Sequence, residues 1–117
     1  MIRYQGESID FYISINEIST IEKWDAFSGV DVYLYTDTSN IVKFCNYTTS
    51  SKKANLTMSA DKKTLSGVIP SDKTKTMQGA LRMDILAQII TDTDESVYIK
   101  SLATGIEIQY SPIKAEL

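Results

Sequence analysis

Apolar and polar residues alternate with a period of two in short runs along most of the chain, a period that fits strands with one buried face. In residues 8–15, Ile9, Phe11, Ile13 and Ile15 share one face, while Ser8, Asp10, Tyr12 and Ser14 share the other. Val30, Val32 and Leu34 alternate with Asp31, Tyr33 and Tyr35 in the same way, up to a turn-forming stretch at 36–40 and a hairpin partner at 41–46. Residues 55–59 and 64–69 flank Ala60-Asp61-Lys62-Lys63, polar enough for a short hairpin loop. Pro70 ends the second of these strands, because it offers the ladder no donor. The longest apolar segment, 81–90, sets Leu81, Met83, Ile85, Ala87 and Ile89 against Arg82, Asp84, Leu86, Gln88 and Ile90. It is amphipathic first and apolar on both sides at its end, as a central strand would be. A last pair is expected at 96–102 and 106–110, joined near Thr104-Gly105, before Pro112.

Composition agrees with the period. Ile, Val and Thr make up 32 of the 117 residues, and seven tyrosines join them; branched and aromatic side chains suit a pleated, half-buried surface. One segment departs from the pattern. In residues 19–27, Ile21, Trp24 and Phe27 stand three apart with hydroxyl residues available as a cap, which predicts a single helical or 3₁₀ turn that plugs one end of the core with aromatic side chains. Seven to nine short strands, with turn signals about every 8–12 residues, describe an all-β, immunoglobulin-like antiparallel sandwich better than a barrel. The long two-faced strand followed by a hairpin suits two stacked sheets. The length is that of one ordinary domain, and neither a repeat nor a linker divides it, so residues 1–117 are expected to form one sandwich.

Several chemistries are excluded by residue type alone. The chain has no histidine, hence no Ser-His-Asp or Cys-His nucleophile system and no imidazole proton shuttle. Its single cysteine, Cys45, allows neither an internal disulfide nor a four-cysteine metal cage, and reads as a small hydrophobe facing the interior. Neither cofactor nor metal is expected. Asp92, Asp94 and Glu95 lack the alternating ligands and central glycine of a calcium loop and read as an exposed turn. Asp84 with Glu107 would need the fixed separation of glycosidase carboxylates around a cleft, which a sandwich seldom leaves. The chain is therefore read as non-enzymatic. Asn46 and Asn55 each begin a glycosylation tripeptide, a pattern that matters only in a secreted eukaryotic protein.

Charge is unevenly spread. The net charge is −3, from 12 basic and 15 acidic side chains, yet residues 43–75 hold seven lysines against two aspartates. Lys43, Lys52, Lys53, Lys62, Lys63, Lys73 and Lys75 form this basic island, which suits either attachment to an acidic neighbour, a second copy included, or solubilised loops and guarded strand edges. With no arginine and no aromatic interleaving in the island, nucleic acid is not the expected partner. Tyr33 and Tyr35 share an outward strand face, and Tyr12 and Tyr98 are expected outward on theirs. Grouped, they would make a flat amphipathic surface for a protein or a sugar. The interaction surface expected from the residues is thus Tyr33, Tyr35, Lys52, Lys53, Lys62 and Lys63.

The stretch 70–110 reads Pro-Ser-Asp-Lys-Thr-Lys-Thr-Met-Gln-Gly-Ala-Leu-Arg-Met-Asp-Ile-Leu, then an acidic turn, a strand and Thr-Gly-Ile-Glu-Ile-Gln. It resembles the immunoglobulin-like sandwich domains at the start of phage upper baseplate proteins and in related prophage proteins of Bacteroides-type bacteria. Thr76, Met77, Gly79, Leu81, Asp84 and Ile85 carry the match, and residues 24–32 look like the family's earlier turn into a strand. The resemblance implies a structural module of a phage or prophage tail that docks to protein neighbours without catalysis. In the family, further domains carry trimerisation or receptor-binding parts. The N-terminal residues show no basic stretch followed by an apolar one, and no run reaches the roughly 20 apolar residues of a membrane helix. The expectation is a product made in the bacterial cytoplasm without a signal peptide, carried in a virion and not in a membrane. The alternative reading is a carbohydrate-binding module with Tyr33 and Tyr35 as the stacking platform.

Overall fold

The computed structural model describes residues 1–17, 23–37, 41–47, 55–90 and 93–113. Its strands are β1 (Ile2–Tyr4), β2 (Ile9–Ser14), β3 (Gly29–Tyr35), β4 (Val42–Tyr47), β5 (Thr57–Met58), β6 (Thr64–Ile69), β7 (Gly79–Ile90) and β8 (Glu95–Gln109). Short 3₁₀ turns occupy Ile15–Glu17 and Trp24–Ala26, and one helical turn, α1, spans Ser71–Thr74. Two sheets form, ordered β1-β8-β7-β3-β4 and β2-β6-β5. Every pairing is antiparallel except that of β1 with β8. The runs β8-β7-β3-β4 and β2-β6-β5 reproduce the two sheet orders of the immunoglobulin sandwich, so the expected all-β class is the one the chain adopts.

Period-two patterning places the core between the sheets. Ile9, Phe11 and Ile13 of β2 and Leu65 and Ile69 of β6 are buried with Val30, Val32 and Leu34 of β3 and Leu81, Met83, Ile85 and Ala87 of β7. Phe11 of one sheet meets Phe44 of the other edge to face, with ring centroids 4.8 Å apart. The predicted aromatic plug is present as the turn Trp24–Ala26, while residues 18–22 lie outside the described ones. Trp24 is only 1% exposed and packs on Phe27 at 5.6 Å. Its indole N–H donates to the Lys63 carbonyl at 3.1 Å, and its backbone N–H to the Lys62 carbonyl at 2.8 Å. The loop between β5 and β6 thereby clasps the plug.

The C-terminal part differs from expectation. Residues 96–102 and 106–109 are not a hairpin; they belong to the single strand β8, which pairs with β7 on both sides of residues 104–106, while Tyr110 lies just past its end. A bulge lies where a turn was expected, for the register passes from Arg82↔Ala103 to Ala80↔Glu107. Gly105 takes a φ of +73°, a left-handed value open to glycine. The Thr104 hydroxyl donates to the Leu81 carbonyl at 2.8 Å and accepts the Ile106 N–H at 3.2 Å, closing the bulge. Strand β1, also unexpected, fastens to it: the Met1 ammonium donates to Gly105 O at 2.9 Å, and Glu107 N to Met1 O at 2.9 Å.

Two buried polar side chains tie the N-terminal turn to the segment after β6. Gln5 donates from Nε2 to Met77 O at 2.9 Å and accepts from Ser111 N at 3.3 Å. Thr74, fully buried, accepts the Gly6 N–H at 3.0 Å and donates to Glu7 O at 2.7 Å. A valine there keeps the shape but strands both backbone groups. Thr74→Val should therefore lower the unfolding free energy by about 1–3 kcal/mol, read from the urea midpoint. Among the described residues, no helix is long and apolar enough to cross a membrane.

Candidate interaction surface

The outward face of the five-stranded sheet is assembled by register. Tyr33 stands between Lys43 of β4 and Asp84 of β7, and Asp84 in turn lies opposite Ser101 of β8. Side chains directly opposite one another on a sheet are close enough to interact, and here they lock together. The Tyr35 hydroxyl donates to Asp84 Oδ2 at 3.2 Å, and the Ser101 hydroxyl to Asp84 Oδ1 at 2.8 Å. Lys43 Nζ lies 5.5 Å from the centre of the Tyr33 ring and 3.6 Å from Asp31 Oδ2. Tyr33 and Tyr35 do face outward, as expected, but both are half-buried in this polar network. Lys43 covers the Tyr33 ring that a sugar would stack on.

Desolvation, and then the Asp84 carboxylate beside it, raise the Tyr35 phenol above its ordinary value of 10.0. The folded state thus favours the neutral phenol. Its contribution is complete below the unfolded value and fades as pH climbs through the higher folded one. An alkaline absorbance titration should show a tyrosine ionising late, and Tyr35→Phe should remove that component.

The expected lysines do not join the tyrosines. Lys62 and Lys63 sit in the β5–β6 loop of the other sheet, where Lys62 adopts a φ of +62° and pairs with Asp25 at 3.1 Å. The Ser59 hydroxyl, then the Lys63 N–H, donate to Asp61, holding that carboxyl below its ordinary value and shaping the loop. Backbone carbonyls of this pair grip Trp24, so the loop's clearest role is structural. Lys52 and Lys53 lie outside the described residues. Lys43 and Lys73 of the island do come together, around a cleft of about 400 Å³ beside Ile41 and Thr76.

Two other expectations are corrected. Tyr98 does not face outward: it lies on the inward face of β8, ring to ring with Phe27 at 5.8 Å, because the edge strand overhangs the aromatic plug. Cys45 is buried but lies outside the apolar cluster, since its register partner is Asp31 on the outer face. Asp84 and Glu107 are held apart. Glu107 pairs with Ala80, four residues from Asp84 along β7, about 13 Å at strand rise, beyond the roughly 5–9.5 Å of glycosidase pairs. Asp94 and Glu95 are exposed, Asp94 accepting the Glu95 N–H at 2.8 Å, while Asp92 lies outside the described residues. Among the described residues, no group of three or more acidic or cysteine side chains is placed to hold a metal.

The surface feature missed by residue reading is the far side of β8. Val97 and Ile99 are exposed there, beside half-buried Leu86. Its signal was the unbroken Val-Tyr-Ile run, apolar on both faces of a strand. A second cleft, of about 480 Å³, opens between β2 and the β1/β8 pair, lined by Phe11, Met83, Leu102 and Ile106 with Arg3 and Asp10. The Arg3 guanidinium is held by Glu7 at 3.1 Å and by Ser8 O at 2.9 Å. Compared with known proteins, the chain matches no family model and no curated protein.

Proposed function

We propose that this chain is a non-enzymatic assembly module of a phage or prophage tail particle, of the baseplate type, that docks to protein neighbours through the five-stranded sheet. The observation that carries this reading is the exposure of Val97 and Ile99 on the outer strand β8, beside a sheet face already braced by the Tyr35–Asp84–Ser101 network. A preorganised face with an apolar margin suits contact with another protein, because little further ordering is needed on binding. The resemblance of residues 70–110 to baseplate sandwich domains supports the setting: its Gly79, at a φ of +103°, starts β7, and its Leu81 and Ile85 fill the core. The lysine over Tyr33 favours protein docking over sugar stacking.

Particles purified from the producing bacterium after prophage induction test the reading. Mass spectrometry should find the chain in the tail fraction at a fixed ratio to the tail subunits. Its absence from every particle fraction, together with glycan-array binding that Tyr33→Ala abolishes, would replace the proposal with a carbohydrate-binding module.

A further inference from the structure

Strand β8 is paired on one side only over most of its length. Residues 95–103 take their register from β7, whereas β1 covers only Glu107, Ile108 and Gln109 on the opposite side. Among the described residues, no strand lies beside the backbone N–H and C=O groups of 95–103 on that side, and such a bare ladder is a template for another strand. Ile99 is 75% exposed and Val97 47%.

We propose that a second copy of this chain occupies this edge, antiparallel, with a two-fold axis through Tyr98; the inference rests on the docking role proposed above. An axis normal to the sheet keeps every side chain on its own face, and the same patch then serves both copies. Centred on Tyr98, the pairing sets Val97 against Ile99 of the copy and Ile99 against Val97 of the copy, so each exposed apolar group covers another. On the inward face, Lys100 stands opposite Ser96 of the copy with Asp94 of the copy diagonal to it, which gives the ammonium a carboxylate neighbour. Two other registers are poorer. Centring on Val97 sets Ile99 against Glu95, and centring on Lys100 sets that lysine against itself, a like-charge pair that repels. A lysine on an edge strand commonly guards it against pairing; here it rejects one register and accepts another. Seven residues a side, 95–101, make a contact about 23 Å long, burying on the order of 1,000 Å² in total, at the lower bound for a specific interface. The dimer is accordingly expected in the micromolar range.

Sedimentation equilibrium of the whole chain should show a monomer–dimer equilibrium, weakened at least tenfold by Ile99→Lys with the melting temperature unchanged. Register is read in a Cys45→Ser background. A Ser96→Cys chain mixed with a Lys100→Cys chain should cross-link under mild oxidation, because directly opposed residues bring their Cα atoms to about 4.5–5.5 Å. Neither chain should cross-link alone. A chain that stays monomeric at several hundred micromolar, a dimer indifferent to Ile99→Lys, or cross-linking without regard to position would overturn the proposal. Monomers whose β8 amides are protected only inside purified particles would hand the edge to a different protein, refuting the second copy while leaving the docking role standing. A dimer formed by a chain that no particle contains would do the reverse.

Discussion

Trp24→Ala should cost the fold about 3–5 kcal/mol, the range for deleting a buried large aromatic side chain, and lower the thermal midpoint by roughly 10 °C or more. Three separate losses meet at this residue. The ring is nearly inaccessible and closes one end of the sandwich against Phe27. Its N–H satisfies the Lys63 carbonyl, which the deletion leaves without that donor. The β5–β6 loop also loses the body it wraps, so Lys62, already in the left-handed region, is held less firmly. Trp24→Phe separates these effects: most packing survives and the indole hydrogen bond does not, for a loss of about 1 kcal/mol. Because the chain has one tryptophan, its fluorescence follows wild-type unfolding and circular dichroism must follow the variants.

Phe11→Ala should be comparably severe, about 3–5 kcal/mol by urea denaturation, because this ring joins the two sheets. It lies opposite Gly67 on β6 and meets Phe44 of β4 edge to face. Gly67 is glycine for the ring's sake: a Cβ there would sit 2.6 Å from Phe11 Cζ and 2.9 Å from Cε1. Phe44 packs edge to face against the ring on its other side, so Gly67→Ala alone should lose about 1–3 kcal/mol through overpacking. Phe11→Leu combined with Gly67→Ala should lose less than the two single changes together, since the smaller side chain vacates the space the new methyl needs. Strict additivity of the pair would contradict this packing.

Strands with one clean apolar face are legible in the residues alone. Strands β2, β3, β4, β6 and β7 fall where period two places them, because burying one face and wetting the other leaves an alternation that little else imitates. Strand β1 carried no such mark. Ile2-Arg3-Tyr4 is three residues long and largely exposed, and a parallel pairing to a strand some 100 residues away in sequence has no local signature. Residue types alone divide β8 at Thr104-Gly105, because a glycine in the left-handed region looks the same from them whether it turns a hairpin or a bulge. The working surface was half legible. The outward facing of Tyr33 and Tyr35 follows from alternation, but their ties to Asp84 and Lys43 come from neighbouring strands through register, which single-strand reading does not supply. Residue types place Tyr98 on the wrong face for a related reason: with Val97 and Ile99 beside it, both faces of that strand are apolar, and alternation loses its power to choose.

Amide hydrogen exchange at low and at high protein concentration tests most directly whether this is a sandwich closed over its own core, with the edge of β8 left as its working surface. Amides within β3 and β7 should exchange slowly at both concentrations, while those of residues 95–103 that point away from β7 should exchange quickly when dilute and slow markedly when concentrated. Equal and strong protection of 95–103 at every concentration would mean that the edge is already covered within one chain, and the account would be wrong.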